Sequence, residues 1–298
     1  VLRRRVAENA PYLRHFEIVS VKSQGKEADR NTRSGEAACV QIKRLGEREG
    51  RMSKSNKKSV VFTGSAGFLG RGIFRAFEKD FHLRLVDVFD FEARHEKMIG
   101  DVADPEFCLR ALSGMDYLVI AHMYPRKLGY ENPYGSYNAN VTGTANLLYA
   151  AHENGIKRVC LISSEAAVSG RPDGVPHTPE TRPAANDVYS ATKACQEITA
   201  EAFHRQFGLE IAIMRLGYVV DLNENIDKYG TRVTDCKEPI IDPADCGNAV
   251  RSALELPKLS CRVFYVYSLC TASNGAEGFA TYRDLNWQPR FSNTIFES

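Results

Sequence analysis

From residue 59 onward, short apolar runs alternate with stretches that repeat apolar residues every three or four positions. Ser59–Thr63 and His82–Asp87 are runs of the first kind, followed by Tyr117–Ala121, Val159–Ser163, Leu209–Arg215 and Arg262–Tyr267. Near-continuous apolarity over so few residues is what a strand buried on both faces requires. Between them, helical spacing predicts helices over Phe68–Lys79, Pro105–Leu112, Tyr137–Asn154, Val188–Phe207 and Pro243–Leu256, with Gly155 and Gly208 at stop positions. Such alternation predicts an α/β fold of Rossmann type, a doubly wound parallel sheet with helices on both faces.

Residues 1–58 follow neither period. Their long polar stretches bury too little apolar area to offset the entropy of ordering, so a disordered tail is expected there, ahead of a domain over 59–298. Charge divides at the same place. The chain of 298 residues carries a net +2, but 15 Lys+Arg oppose 7 Asp+Glu through Lys58 (+8), and 24 oppose 30 afterwards (−6). The acids in the tail argue against an organelle transit peptide, and basic clustering beyond Arg3-Arg4-Arg5 is too sparse for a nucleic-acid arm. Met52 leads directly into the first strand, and residues 1–51 are expected to lie outside the native protein.

The remaining composition narrows the options. The eight cysteines (Cys39, Cys108, Cys160, Cys195, Cys236, Cys246, Cys261 and Cys270) form no CxxC pair and have no histidine cluster beside them. No metal site is therefore expected, and free buried thiols in a reducing cytoplasm are the simpler account. The apolar stretches fall far short of the roughly 20 residues of a spanning helix, so no membrane contact is expected.

The first strand runs into Gly64-Ser-Ala-Gly67-Phe-Leu-Gly70 and then a helix, followed by a second strand. In that setting Gly64 permits a tight turn, Gly67 lets the backbone approach a pyrophosphate, and Gly70 permits close helix–strand packing. The helix start, at Phe68 and Leu69, supplies N–H groups and a favourable dipole. Asp87 ends the second strand 17 residues beyond Gly70. An acid there accepts the adenosine ribose hydroxyls and repels a 2′-phosphate by about 4 kcal/mol at ~4 Å and effective dielectric 20, before screening. Arg71 and Arg84 offset a share of that, and the balance favours NAD over NADP.

Tyr189 and Lys193 stand four apart, on one face of the helix that starts near Asp187. Half-ionising a phenol at pH 7 needs a depression of about three pKa units, roughly 4 kcal/mol. A neighbouring ammonium and a cationic nicotinamide together are of the right size to supply it.

With these residues in place, the chain from Ser59 through Arg215 resembles the extended short-chain dehydrogenase/reductase superfamily, in its NAD-dependent epimerase/dehydratase branch. The motifs are Thr63-Gly-Ser-Ala-Gly-Phe-Leu-Gly70, Gly100-Asp-Val-Ala-Asp104, Asn140-Val-Thr-Gly-Thr-Ala-Asn-Leu-Leu148, Ser163-Ser164 and Tyr189–Lys193. The resemblance implies that Asp101 and Val102 border the adenine, and that Ala121 and His122 line the dinucleotide cleft. It places Asn140 near the catalytic groups and Lys193 on the nicotinamide ribose. It also implies a small carboxy-terminal substrate region, mainly 216–298, and makes a homodimer an option because exposed helices of this fold commonly pair.

The family's third catalytic group is a Ser or Thr after the fifth strand. Counting forward along Val159-Cys-Leu-Ile-Ser-Ser selects Ser164, whereas counting back from Gly170 selects Glu165. A separation of 25 residues from Tyr189 also resembles the family, which favours Ser164. Some 80 residues follow Arg215, which by resemblance suits a small sugar acid or polyol better than a nucleotide sugar. Arg215-Leu-Gly217, Asp242-Pro-Ala-Asp245 and Leu285-Asn-Trp287-Gln-Pro289 resemble uronate dehydrogenases in particular. Arg232 could pair a substrate carboxylate, but a solvated loop arginine is the preferred account. Three functions follow: a sugar or sugar-acid dehydrogenase, a nucleotide-sugar epimerase or dehydratase, and, if Glu165 displaces Ser164, a non-catalytic NAD-binding regulator.

Overall fold

Alternation within β1 (Ser59–Thr63) sends Val60 and Phe62 to one face of a sheet and Val61 to the other, and each face carries its own apolar core. The computed structural model describes residues 57–172, 177–235, 238–270 and 275–291, with side chains from 278 in the last segment. The expectations for the tail and for Met52 lie outside the described residues except at Lys57 and Lys58, as do Cys39 and Cys236. The sheet strands after β1 are β2 (His82–Asp87), β3 (Glu96–Ile99), β4 (Tyr117–Ile120), β5 (Arg158–Ser164) and β6 (Glu210–Leu216). Next come β7 (Tyr218–Asp221), β8 (Ile226–Asp227), β9 (Ile240–Ile241) and β10 (Cys261–Val266). The helices are α1 (Phe68–Arg75), α2 (Pro105–Leu112), α3 (Arg126–Glu131), α4 (Pro133–Ser136), α5 (Gly143–Glu153), α6 (Val188–Phe207), α7 (Pro243–Glu255) and α8 (Gly275–Leu285).

Seven strands pair in the order β10-β6-β5-β4-β1-β2-β3. Every pairing in that sheet is parallel, which makes this a Rossmann-type α/β fold. Helices α1 and α7 cover one face through Ile73, Val250 and Ala253. The other face is covered by α2, α5 and α6 through Ala111, Leu147 and Ala200. Strand order reverses between β1 and β4, so the crevice that receives ligands in this topology opens at their carboxyl ends.

Aspartate side chains cap three of the helices. Asp104 Oδ1 accepts from the Glu106 N–H, Asp187 forms a reciprocal capping box with Ser190, and Asp242 accepts from the N–H groups of Ala244 and Asp245. Gly208 closes α6 in the left-handed conformation at φ 70°.

The structure departs from the sequence expectations in four places. Helix α1 stops at Arg75 rather than Lys79, because residues 76–80 tighten into turns that stack Phe77 between Phe62 and Phe81, at ring separations of 5.0 and 5.1 Å. The helix expected over 137–154 begins as a π-helix, Tyr137–Thr142, before α5. An edge strand, β3, and the short helices α3 and α4 were not anticipated. Neither were α8 and a small sheet of order β8-β7-β9, which help to build the carboxy-terminal region.

Beneath the carboxyl ends of β5 and β6 lies a buried ion pair. Arg215 and Glu197 are each 1% exposed; Arg215 Nη2 donates to Glu197 Oε2 at 2.8 Å and Nε donates to Oε1 at 3.1 Å. Ser163 Oγ donates to the same carboxylate at 2.6 Å, while the guanidinium also donates to Tyr265 Oη and to the Thr181 carbonyl. Removing one partner strands a charge in the core. Glu197→Ala is expected to destabilise the fold by about 3–5 kcal/mol, measured by urea unfolding, and Glu197→Met combined with Arg215→Met should recover most of that loss.

Candidate active site

Helix α1 begins at Gly67 with no side-chain cap, unlike the three helices capped by aspartate. Its first N–H groups are thus left for a ligand. The turn before it is close-packed: Gly64 has φ +72°, and a Cβ added at Gly70 would stand 2.1 Å from the Gly64 carbonyl oxygen. Only glycine fits both positions, and the resulting bare backbone suits a pyrophosphate.

This turn opens into a cavity of about 1390 Å³ at the carboxyl ends of the central strands. Its wall includes Gly64, Gly67, Phe68, Leu69 and Gly70 from the turn, and Asp87, Asp101, Val102, Ala121 and His122 from the ends and loops of neighbouring strands. Ser164, Tyr189 and Lys193 line the same space. Asp87 accepts from the Ala66 N–H at 2.9 Å through Oδ2 and from the Phe89 N–H at 3.0 Å through Oδ1, leaving further lone pairs for ribose hydroxyls. Arg84 is committed elsewhere: it pairs with Glu96 and donates to the carbonyls of Ala111 and Ser113. Arg84 therefore does not offset the charge of Asp87.

The catalytic candidates converge from two elements. Ser164 ends β5, and its Oγ caps the following 3₁₀ turn by accepting from the Ala166 N–H. It stands near enough to Tyr189, in the first turn of α6, to pull that tyrosine's pKa down. Glu165 also reaches the cavity wall, but its carboxylate accepts from the Tyr267 hydroxyl. Ser164, rather than Glu165, is thus the residue set against Tyr189. Lys193 Nζ donates to the Ile162 carbonyl at 2.9 Å; burial lowers this amine to about 8, with Glu197 pulling the other way.

Two of the candidates stand outside the cavity wall. Asn140 does not line the cavity. It is 1% exposed inside the π-helix, where Oδ1 accepts from the Tyr124 N–H and Nδ2 donates to Thr192 Oγ1, so it ties the loop after β4 to α6. Arg232 is exposed and away from the cavity wall. The carboxy-terminal region reaches the cavity instead through Tyr218, Lys228, Tyr229 and Tyr267.

The electrostatics of Tyr189 also differ from expectation. Burial pushes its hydroxyl up and outweighs the contact with Ser164 and the charge of Arg126, which pull it down. The guanidinium of Arg126, in α3, lies 4.9 Å from the Tyr189 ring centroid. No spacing in the sequence points to this arginine; 63 positions separate it from the tyrosine, and a single basic residue after a strand carries no pattern.

A dinucleotide cradle joined to a Ser–Tyr–Lys cluster defines the class of site. The family follows from comparison: residues 60–233 match the NAD dependent epimerase/dehydratase family, and the chain belongs to it. NAD is its cofactor. Among relatives, CDP-glucose 4,6-dehydratase of Salmonella typhimurium is 29% identical over 189 residues, which is 55% of this chain and 52% of that protein. The chain spans about half the length of the curated relatives it matches. Uronate dehydrogenase from Agrobacterium tumefaciens shares the fold with a TM-score of 0.62 at 21% identity, over 81% of this chain and 87% of that one. The UDP-glucose 4-epimerase of Thermus thermophilus, in complex with NAD, gives 0.61 at 20% identity over 78% and 84%. Among the described residues no helix is long and apolar enough to cross a membrane.

His122 gives the site a pH signature. Nε2 donates to the Ala139 carbonyl at 2.9 Å and Nδ1 bonds the Thr63 hydroxyl at 3.0 Å; burial, with Lys193 nearby, lowers the imidazole from 6.5 to about 4. Between those values the unfolded chain binds the proton and the folded one does not, so stability falls as pH drops from 6.5 towards 4. The contribution is on the order of 2 kcal/mol once contact with cavity water is allowed for. Thermal melts across this window should show the decline in the wild type, and a shallower one in His122→Gln.

Proposed function

We propose that the protein is an NAD-dependent oxidoreductase that acts on a CH–OH group of a sugar or sugar acid. The observation that carries this reading is a single cavity lined by the glycine turn, Asp87, Ser164, Tyr189 and Lys193. The glycine turn and the start of α1 would hold the pyrophosphate, Asp87 the adenosine ribose and Lys193 the nicotinamide ribose. Bound NAD supplies the acceptor for a hydride leaving carbon. Tyr189 Oη takes the proton of the substrate hydroxyl as the C=O bond forms, and Ser164 Oγ donates a hydrogen bond to that oxygen. Lys193 keeps a positive charge at this end of the cavity below about pH 8, which favours the phenolate. Lys228, Arg126 and Arg171 share the wall with Glu165 and Glu238, so the choice of a sugar acid leans on the uronate dehydrogenase that shares the fold.

A second reading, a nucleotide-sugar epimerase or dehydratase that returns the hydride, draws support from Glu165. Its carboxylate beside Ser164 offers a second proton-transfer group in the same cavity. Following NADH absorbance across uronic acids, aldoses and nucleotide sugars separates the two: net NADH with a free sugar or sugar acid supports the first, and product without net NADH the second. Tyr189→Phe should lower turnover by about 10²–10⁴-fold while calorimetry shows NAD binding close to the wild type; retained turnover overturns the role given to Tyr189.

A further inference from the structure

We propose that Arg126 is a positioning residue for proton transfer, whose guanidinium, stacked on the Tyr189 ring, stabilises the phenolate that receives the substrate proton. The inference rests on the role given to Tyr189 above and adds a second cation to it.

The geometry carries the argument. Arg126 Cζ lies 4.9 Å from the Tyr189 ring centroid and 5.7 Å from that of Tyr130, inside the range of a cation–π contact. A phenolate spreads negative charge over its ring, so a cation above the ring gains on ionisation. The arginine is held in place: Nε donates to Tyr130 Oη at 2.7 Å and Nη2 donates to Asp187 Oδ2 at 3.2 Å, while the Tyr130 hydroxyl donates to the same oxygen at 2.9 Å. Asp187 is itself fixed as the cap of α6, accepting from Ser190 N–H and Oγ at 2.7 Å each. The residue that starts the helix of Tyr189 therefore also sets where the cation sits.

Charges reach Tyr189 from several elements. Arg126 comes from α3, Ser164 from the end of β5, Asp187 from the cap of α6, and Tyr229, with Lys228 beside it, from the loop after β8; Lys193 lies one turn along α6. Asp187 and Tyr229 oppose ionisation of the phenol, whereas Arg126 and Ser164 favour it. Lys193 donates to the Ile162 carbonyl, so the guanidinium is the cation in contact with the ring. A guanidinium stays charged at every assay pH, whereas Lys193 loses its proton near pH 8. Arg126 therefore maintains the field where Lys193 no longer does.

The test compares the full chain with Arg126→Met, Arg126→Lys and Asp187→Asn. Each variant is measured by the pH profile of kcat at saturating NAD, and by tyrosinate absorbance titration with the matching Tyr189→Phe background subtracted. Arg126→Met should move the acid limb to higher pH and lower turnover at neutral pH about tenfold, allowing for the partial exposure of the arginine. Arg126→Lys should recover most of that loss. Asp187→Asn keeps the helix cap but removes the opposing charge, and should move the limb to lower pH. A uniform loss at all pH in both Arg126→Met and Asp187→Asn, or a Tyr189 titration unmoved by Arg126→Met, overturns the proposal. Turnover retained in Tyr189→Phe instead overturns the role of the tyrosine, while the absorbance titration still reads the coupling to Arg126.

Discussion

The pairing of Arg215 with Glu197 is the interaction on which the working end of the molecule depends. It joins β5, β6, β10 and α6 at one buried point, through Ser163, Arg215, Tyr265 and Glu197. The backbone ladder pairs these strands up to their carboxyl ends, and the charged, fully bonded knot ties α6 to them there. Glu197 stands one turn beyond Lys193, and its charge keeps that buried lysine more basic than burial alone would leave it. Structural support and tuning of the site thus come from the same carboxylate.

Opposing forces meet at Tyr189. Burial, which would exclude water from the proposed proton and hydride transfer, makes the phenol a poorer base. The surroundings answer with cations rather than with exposure: a lysine that loses its charge near pH 8 and an arginine that keeps it. The asparagine of the π-helix belongs to this arrangement as well. By bonding both the Tyr124 backbone and Thr192, Asn140 holds the loop that leads into α3 and Arg126 against the helix that carries Tyr189.

Much of this was legible in the sequence, for identifiable reasons. The limits of α2 and α6 stand at their expected residues because Asp104 and Asp187 are strong caps and Gly208 is a strong stop. The buried parallel strands were found to within a residue or so because their apolar runs are nearly continuous. Glu96–Ile99 was missed because an edge strand need not be apolar, and α3, at six residues, is too short to show a period. In the site, short-range order was readable and long-range contact was not. The glycine turn and the pair Tyr189 and Lys193 lie within single elements, whereas Arg126 meets Tyr189, and Glu165 meets Tyr267, across distances that leave no spacing to count.

Asp87 leads to a constraint of a different kind. One of its oxygens restrains Ala66 in the glycine turn, and the other restrains Phe89 after β2. With Asp87 in the ribose-binding role proposed above, cofactor choice and loop shape would be inherited through one side chain. A replacement that welcomed a 2′-phosphate would also release the turn meant to hold the pyrophosphate. Asparagine would keep one acceptor of the two; a basic residue would keep neither. A change of cofactor would thus have to be preceded by new supports for Ala66 and Phe89, and selection acting on this position one step at a time would hold the chain to NAD.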